Sequence, residues 1–409
     1  MKFVSRPRGP VPRSTTNAKR ETPGIRILRK PGLAMLGVAA AAVAVPASAS
    51  ASVHASPVVG HVYVDDNTAG ANTIGAFNRH ADGTLTPEAG APFAAGGAGT
   101  GAGLASQGAM QISPDGRFVV AVDAGSSQIS VLRVSRDGSL RLVPGGVVSS
   151  GGVLPVSIAI HGDLVYVANA GTGGSNFTGF RLGRDGRLEP ISGSTIALPA
   201  GSQPGDVLFN GTGSKLAGTL VGTSAIDSFT VGSDGRLTAA PGSPFPAQGL
   251  GPFGSEFRPT NPDQLFVSNA HNVGAGSGTV SAFSDSRRGT LRPIGSSPFA
   301  DQQTAPCWVE ISHDGRFLFT VNTGSGEISR YSIAPDGVLT LLGSTPVSAT
   351  GGVGAVDARL SPDGRTLFVD ESKIGAVGAF AVRGGNLTEL NSSPTALPAG
   401  ATPAGVVVN

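Results

Sequence analysis

Apolar residues fall in short runs along this chain, each closed by turn-forming residues, and the runs keep a constant phase with one another. One run ends on a polar anchor at Ser113, His161, Asn210, Arg258, Ser312, Ser361 and Asn409, and several anchors lead into a Pro-Asp-Gly-Arg turn, as at residues 114–117 and 362–365. Gly suits that turn because the backbone there passes through positive φ. A second, β-rich run ends on Asp or Asn, as in residues 265–269 and 318–322. A third carries one large apolar residue per repeat (Phe77, Leu132, Phe180, Phe229, Phe283, Tyr331, Phe380), and an Asp-Gly-x-Leu turn or a degenerate copy follows it. The second residues of those turns, Gly83, Gly138, Gly186, Gly235, Gly289, Gly337 and Gly385, are separated by 55, 48, 49, 54, 48 and 48 residues.

A period near fifty with four strand-like runs per period is the mark of a propeller blade. The pattern predicts an all-β fold, a seven-bladed β-propeller of four-stranded antiparallel blades, with the large apolar column packed between blades. The ends support closure. Residues 61–65 match a second strand whose innermost partner is missing, and residues 402–409 match an innermost strand with nothing after it. Pairing of the N- and C-terminal strands in one blade would close the ring and remove an exposed sheet edge. The propeller is therefore expected over 58–409, behind a short tether at 50–57.

Residues 1–49 read as a signal peptide with a long basic leader. Nine basic residues precede an apolar run at 33–45, and Ala47-Ser48-Ala49 supplies a small-residue cleavage site. Export to a secreted or extracytoplasmic location follows, and no later run has the ~20 apolar residues of a membrane span. Removing the leader moves the formal charge from +2 to −6, because it carries nine positive charges and one negative. A mildly acidic chain without clustered Lys or Arg excludes nucleic acid as a partner. Cys307 is the single cysteine, so stability cannot rest on an intramolecular disulfide.

Together, the Ser-Pro-Asp-Gly-Arg turn, the Leu-Phe-Val-x-Asn strand, the Ile-Ser-x-aromatic strand and the Asp-Gly-x-Leu turn resemble the lactonase-type seven-bladed propellers, the 6-phosphogluconolactonase-like family, over nearly all of 58–409. The resemblance implies hydrolysis of a sugar lactone at polar groups near the central channel, with no cofactor required. It also implies Pro-His or Pro-Arg-His at the heads of innermost strands. Here those heads read Gly108-Ala109-Met110, Pro155-Val156-Ser157, Pro204-Gly205-Asp206, Pro252-Phe253-Gly254, Pro306-Cys307-Trp308, Gly354-Ala355-Val356 and Pro403-Ala404-Gly405, without a histidine.

Strand alternation supplies the candidate site. Positions one and three before each anchor are almost all apolar and should be packed. Positions two and four before it hold Gln111, Glu256, Glu310 and Arg359, then Ser157, Asp206, Trp308 and Asp357, and should face the channel. Glu256, Glu310 and Arg359 occupy the same register in three consecutive blades and are the catalytic candidates, carboxylates for acid–base work and a guanidinium for substrate charge. Gln111, Asp206, Trp308 and Asp357 are the ligand-binding candidates, with Trp308 offering a flat wall for a sugar ring. The six histidines are scattered, no H-E-x-x-H or G-x-S-x-G motif occurs, and no metal site is expected. Asp65-Asp66-Asn67 reads as an Asx-type turn, and the glycine-rich excess segments at 94–103 and 271–278 read as flexible linkers. Two functions fit these features: a monomeric lactonase-like hydrolase, or a non-catalytic propeller that binds a sugar lactone-like ligand or a cell-envelope component.

Overall fold

The computed structural model describes residues 56–348 and 354–409, so the expected signal peptide and most of the tether lie outside the described residues. No helix among the described residues is long and apolar enough to cross a membrane. Seven antiparallel sheets follow one another around an axis. Their innermost strands are Gly405–Val408 in blade 1, Met110–Ile112 in blade 2, Pro155–His161 in blade 3, Pro204–Phe209 in blade 4, Pro252–Arg258 in blade 5, Pro306–Ile311 in blade 6 and Ala355–Leu360 in blade 7. Each touches the next, and the seventh touches the first, so the ring is closed.

Closure occurs through the termini, as the sequence predicts. Gly405–Val408 pairs antiparallel with Val58–Asp65, with Val62 opposite Val408 and Asp65 opposite Gly405. The last residue is held on three sides. Its side-chain oxygen accepts from the His61 amide at 2.7 Å, its carbonyl accepts from Arg79 Nη2 at 3.0 Å, and its own amide donates to the His61 carbonyl at 3.0 Å. Val406 and Val408 pack with Val62, Val64 and Phe77 of blade 1 and Phe368 of blade 7, while Val407 joins Tyr63 and blade 2 residues Met110 and Val119.

The large apolar column is buried in every repeat, between 0% and 2% exposed from Phe77 to Phe380. The recurring Asp-Gly-x-Leu turn has a second reason to recur. All seven of its glycines sit at φ between 79° and 92°. A side chain on any of them would run into the preceding blade: Gly138 into the His61 ring, Gly186 into Phe118, Gly385 into Phe317. The turn is therefore a wedge between blades as well as a reversal. Its Asp closes the turn locally, as where the Thr84 amide donates to Asp82 Oδ1 at 3.0 Å. Tyr63 and Tyr166 reach across to the same turns, donating to the carbonyls of Gly138 and Gly235 at 2.9 and 2.8 Å.

The Asx reading of residues 65–67 holds, since the Asn67 amide donates to Asp65 Oδ1 at 3.0 Å. The glycine-rich excess in blade 2 departs from the linker expectation. It is laid down on the 67–72 turn through backbone hydrogen bonds in which the amides of Gly99, Gly101 and Asn72 donate to the carbonyls of Thr68, Asn67 and Gly97. Glycine is needed at 97 and 99 because side chains there would strike Asp123 and the Asn67 backbone. In blade 5 the 271–278 segment is likewise tied down, with the Leu250 amide donating to Asn272 Oδ1 at 2.9 Å.

Two outcomes test this architecture. Deleting residues 401–409 removes three valines that are each worth roughly 1.5–3 kcal/mol of burial and opens a sheet edge. The truncated protein should aggregate or melt far below the parent, and an unchanged melting curve would refute terminal closure. Gly138→Ala should destabilise by more than about 2 kcal/mol, because it combines φ strain with a collision. Gly116→Ala, at φ 70° with nothing within 4 Å, should cost only the strain, about 1–2 kcal/mol. Chemical denaturation of the pair measures the difference.

Candidate functional site

Each innermost strand has one edge paired to its own blade and one edge facing the axis, where no further strand can fit. Buried amides on that edge need other acceptors. At the register three before the anchor, six of them have one. Ile158 donates to the Gly108 carbonyl at 2.8 Å, Val207 to Ser157 Oγ at 3.1 Å, and Ser255 to Asp206 Oδ2 at 3.0 Å. Val309 donates to Gln107 Oε1 at 2.8 Å, and Asp357 accepts from both Ala358 (2.9 Å) and Val406 (3.3 Å). Closer to the anchors, Leu360 donates to Glu310 Oε1 at 2.8 Å and the Ile311 amide is directed at Glu256. The carboxylates expected to face the channel therefore staple blades 4, 5, 6 and 7 each to the next.

Arg359 is the cation of this set. Its Nη1 contacts Glu310 Oε2 at 3.2 Å, the one hydrogen bond its side chain makes among the described residues, and the side chain stays 26% exposed. Burial works against its charge, but Glu310, Asp357, Glu256 and Asp206 together outweigh that and raise its pKa above the ordinary value. The acids are displaced the other way. Burial pushes Asp206 up to about 7 against hydrogen bonds from Ser255 and Ser157, and pushes Asp357 up to about 6 against Arg359. Glu310 is raised by burial with Arg359 opposing. Glu256 is raised well above the carboxylate range, by burial first and the neighbouring Glu310 second, and its Oε2 is buried without a hydrogen-bond partner.

Two cavities occupy the channel, separated by a residue that register alone did not single out. Gln107 crosses from blade 2, donating through Nε2 to the Ser255 carbonyl at 2.9 Å while its Oε1 accepts from Val309. Gly254 has to be glycine where that carboxamide passes. Toward the strand ends lies a polar cavity of about 150 Å³, walled by Gln107, Gln111, Asp206, Ser255, Glu256, Phe209 and Arg359. Toward the strand heads lies a second cavity of about 300 Å³, where Trp308, Phe253 and Cys307 sit beside Leu104.

Four sequence candidates thus meet on one cavity: Gln111, Asp206, Glu256 and Arg359. Glu310 and Asp357 stand behind it, one holding Arg359 and both capping amides. Trp308 is separated from them. Its indole Nε1 donates to the Ser106 carbonyl at 2.8 Å, on the far side of Gln107. Alternation placed Trp308 on the axial face correctly, but it carries no information about a loop entering the channel. A signal for Gln107 did exist. It stands six before Ser113, the register at which Pro155, Pro204, Pro252, Pro306 and Pro403 stand before their own anchors. No set of three or more His, Cys, Asp or Glu side chains among the described residues is arranged to hold a metal ion.

A family model described as lactonase, 7-bladed beta-propeller, matches residues 71–209 and 256–407. The chain belongs to the lactonase family of seven-bladed β-propellers. Solved structures of similar shape include a candidate 6-phosphogluconolactonase of Bacteroides uniformis, with TM-score 0.69 and 21% identity, covering 86% of this chain and all of that one. A periplasmic gluconolactonase of Pseudomonas aeruginosa aligns with TM-score 0.67 and 18% identity, over 85% of this chain and 98% of its own. A Lactobacillus plantarum protein gives 0.68 and 18%, over 86% and 99%. At these identities the likeness is one of fold. No curated protein matches the sequence.

The displaced acids set the pH dependence of this lactonase-family propeller. Asp206 and Asp357 have folded-state values of about 7 and about 6, above the ordinary value near 3.9. Between those limits the folded protein holds protons that the unfolded chain has released, so stability falls as pH rises from about 4 to about 7. Surface acids act oppositely. Asp115, drawn down to about 2 by the Ser113 hydroxyl and Arg117, contributes stability that is lost only in stronger acid. The melting temperature should therefore be highest near pH 4–5 and decline toward pH 8, with a shallower decline in Asp206→Asn. A melting temperature that climbs across this range would contradict the assignment.

Proposed function

We propose that this propeller is an exported hydrolase that opens an uncharged sugar lactone in the polar cavity of its channel. The observation that carries the reading is the Glu256 carboxyl: buried, lacking a partner for Oε2, raised in pKa and set on a cavity wall with Arg359. A carboxylate whose proton is held more tightly than in water is a stronger base once ionised, which suits general-base work. In this reading Glu256 takes a proton from water as the water oxygen bonds to the lactone carbonyl carbon. The resulting oxyanion faces the Arg359 N–H groups that Glu310 leaves free, a fixed charge suited to that role. The ring C–O bond then breaks, and Glu256 returns its proton to the departing alkoxide, giving the open-chain acid. In this reading Gln111, on the same cavity wall, takes the sugar hydroxyls.

Charge argues for an uncharged substrate. Four carboxylates surround one guanidinium, and that guanidinium is already paired, so a phosphate group entering the channel would meet like charge. A second reading is favoured by a specific observation: the strand heads carry no histidine, and most channel acids are engaged in capping amides. In that reading the same cavity binds the lactone, or a polyhydroxylated cell-envelope component, without turnover.

Lactone opening by purified protein, followed by acid release, separates the two. A D-glucono-lactone substrate should be hydrolysed with kcat/KM at least about tenfold above its 6-phospho ester. Glu256→Gln should abolish turnover while leaving the melting temperature equal or higher, since it removes an uncompensated buried acid. Saturable binding by calorimetry without acid release would establish the binding reading instead. Hydrolysis that survives Glu256→Gln would remove Glu256 from the mechanism.

A further inference from the structure

The cavity on the other side of Gln107 is unlike the polar one in every respect that governs a ligand. It is twice as large, about 300 Å³ against about 150 Å³, and its wall is carbon: the Trp308 ring, Phe253, Leu104, Val356, Ala404 and the Cys307 thiol. Trp308 and Phe253 meet edge to face, with centroids 5.3 Å apart and planes at 65°, and are 4% and 3% exposed, so these walls are rigid. Phe253, Cys307 and Ala404 occupy the second positions of three strand heads. No charged side chain lines the cavity.

Its polar side chains each donate to a backbone carbonyl. Trp308 Nε1 donates to Ser106 O at 2.8 Å, Ser106 Oγ to Val156 O at 2.7 Å, Thr323 Oγ1 to Ala355 O at 2.9 Å and Ser372 Oγ to Gly354 O at 2.6 Å. A polyol entering here would lose water from its hydroxyls and find few partners, at about 1–3 kcal/mol for each group left unpaired. An apolar group loses nothing of that kind. The loops on this face repeat the theme. Val153, Leu250, Val273 and Ile374, among the exposed large apolar residues of the described chain, all lie in segments that lead into innermost strands or join second strands to third, at the same end of the blades.

We propose that this vestibule is a second ligand site, independent of the lactone cavity, that takes an uncharged apolar molecule of the size of a fused aromatic ring pair. An apolar cavity of about 150 Å³ accepts benzene, so one twice that size suits two rings. The ligand stacks on Trp308 and Phe253 and rests on Leu104. It is closed off from the polar cavity by Gln107.

Trp308 is the single tryptophan of the chain, so its emission reports on this cavity alone. The probe is N-phenyl-1-naphthylamine, an uncharged naphthyl dye, titrated into the mature propeller. The expected result is saturable, one-to-one binding, with Trp308 emission quenched as dye emission rises. Val356→Phe, which fills the cavity from a partly exposed position, should weaken binding at least about tenfold. Leu104→Gln, which presents an amide at the same wall, should weaken it by about fivefold even where Val356→Phe fails to fold. Saturating D-glucono-lactone should leave the dye in place. Dye binding that leaves Trp308 emission unchanged, variants that bind like the parent, or displacement by the lactone would each overturn the proposal, and none of these readouts depends on whether the lactone is hydrolysed.

Discussion

A strand at the centre of a propeller has an amide edge that no other strand can pair. Seven such edges converge on one axis here, and the way they are satisfied organises most of what surrounds them. Side chains from the preceding blade supply acceptors: Ser157 for Val207, Asp206 for Ser255, Glu310 for Leu360 and Asp357 for Val406. Each bond ties two blades together at the point where they approach most closely. The cost is a set of acids gathered in one narrow channel, with burial raising the pKa of each and neighbouring acids adding to it at Asp206, Glu256 and Asp357. Arg359 offsets part of that cost by standing among four of them.

Bonds between blades and the charge of the channel are therefore carried by one group of residues. Glu310 caps Leu360 with one oxygen and holds Arg359 with the other. Glu256 differs because one of its oxygens remains without a partner, which is why the proposed mechanism gives it, and not Glu310, the part of the base. An acid placed for stability can acquire chemistry when a neighbour prevents it from ionising easily.

At the rim the same problem of joining blades is solved by shape. The Asp-Gly-x-Leu turn must be free of a side chain because the preceding blade occupies that space, as His61 does at Gly138. Apolar clusters bridge the blades between rim and axis, so every unit depends on both neighbours. Gln107 then divides the channel they enclose. It joins blade 2 to blades 5 and 6 across the axis, which strengthens the ring and leaves two compartments of opposite character.

The repeat period, the four strands of each blade, the buried aromatic column and the joining of the two ends were all legible in the sequence, because each is set by local turn chemistry or by alternation along a strand. The same alternation brought Gln111, Asp206, Glu256 and Arg359 to the axis. What it could not decide was contact between blades: that Asp206 would meet the Ser255 amide, or that Glu256 would be left with a free oxygen. Those depend on the stagger of one sheet against the next, which no single strand encodes. The separation of Trp308 from the acids was further out of reach. It follows from Gln107, just beyond the glycine-rich segment, which divides the channel only when the closed ring offers it a carbonyl and an amide to hold.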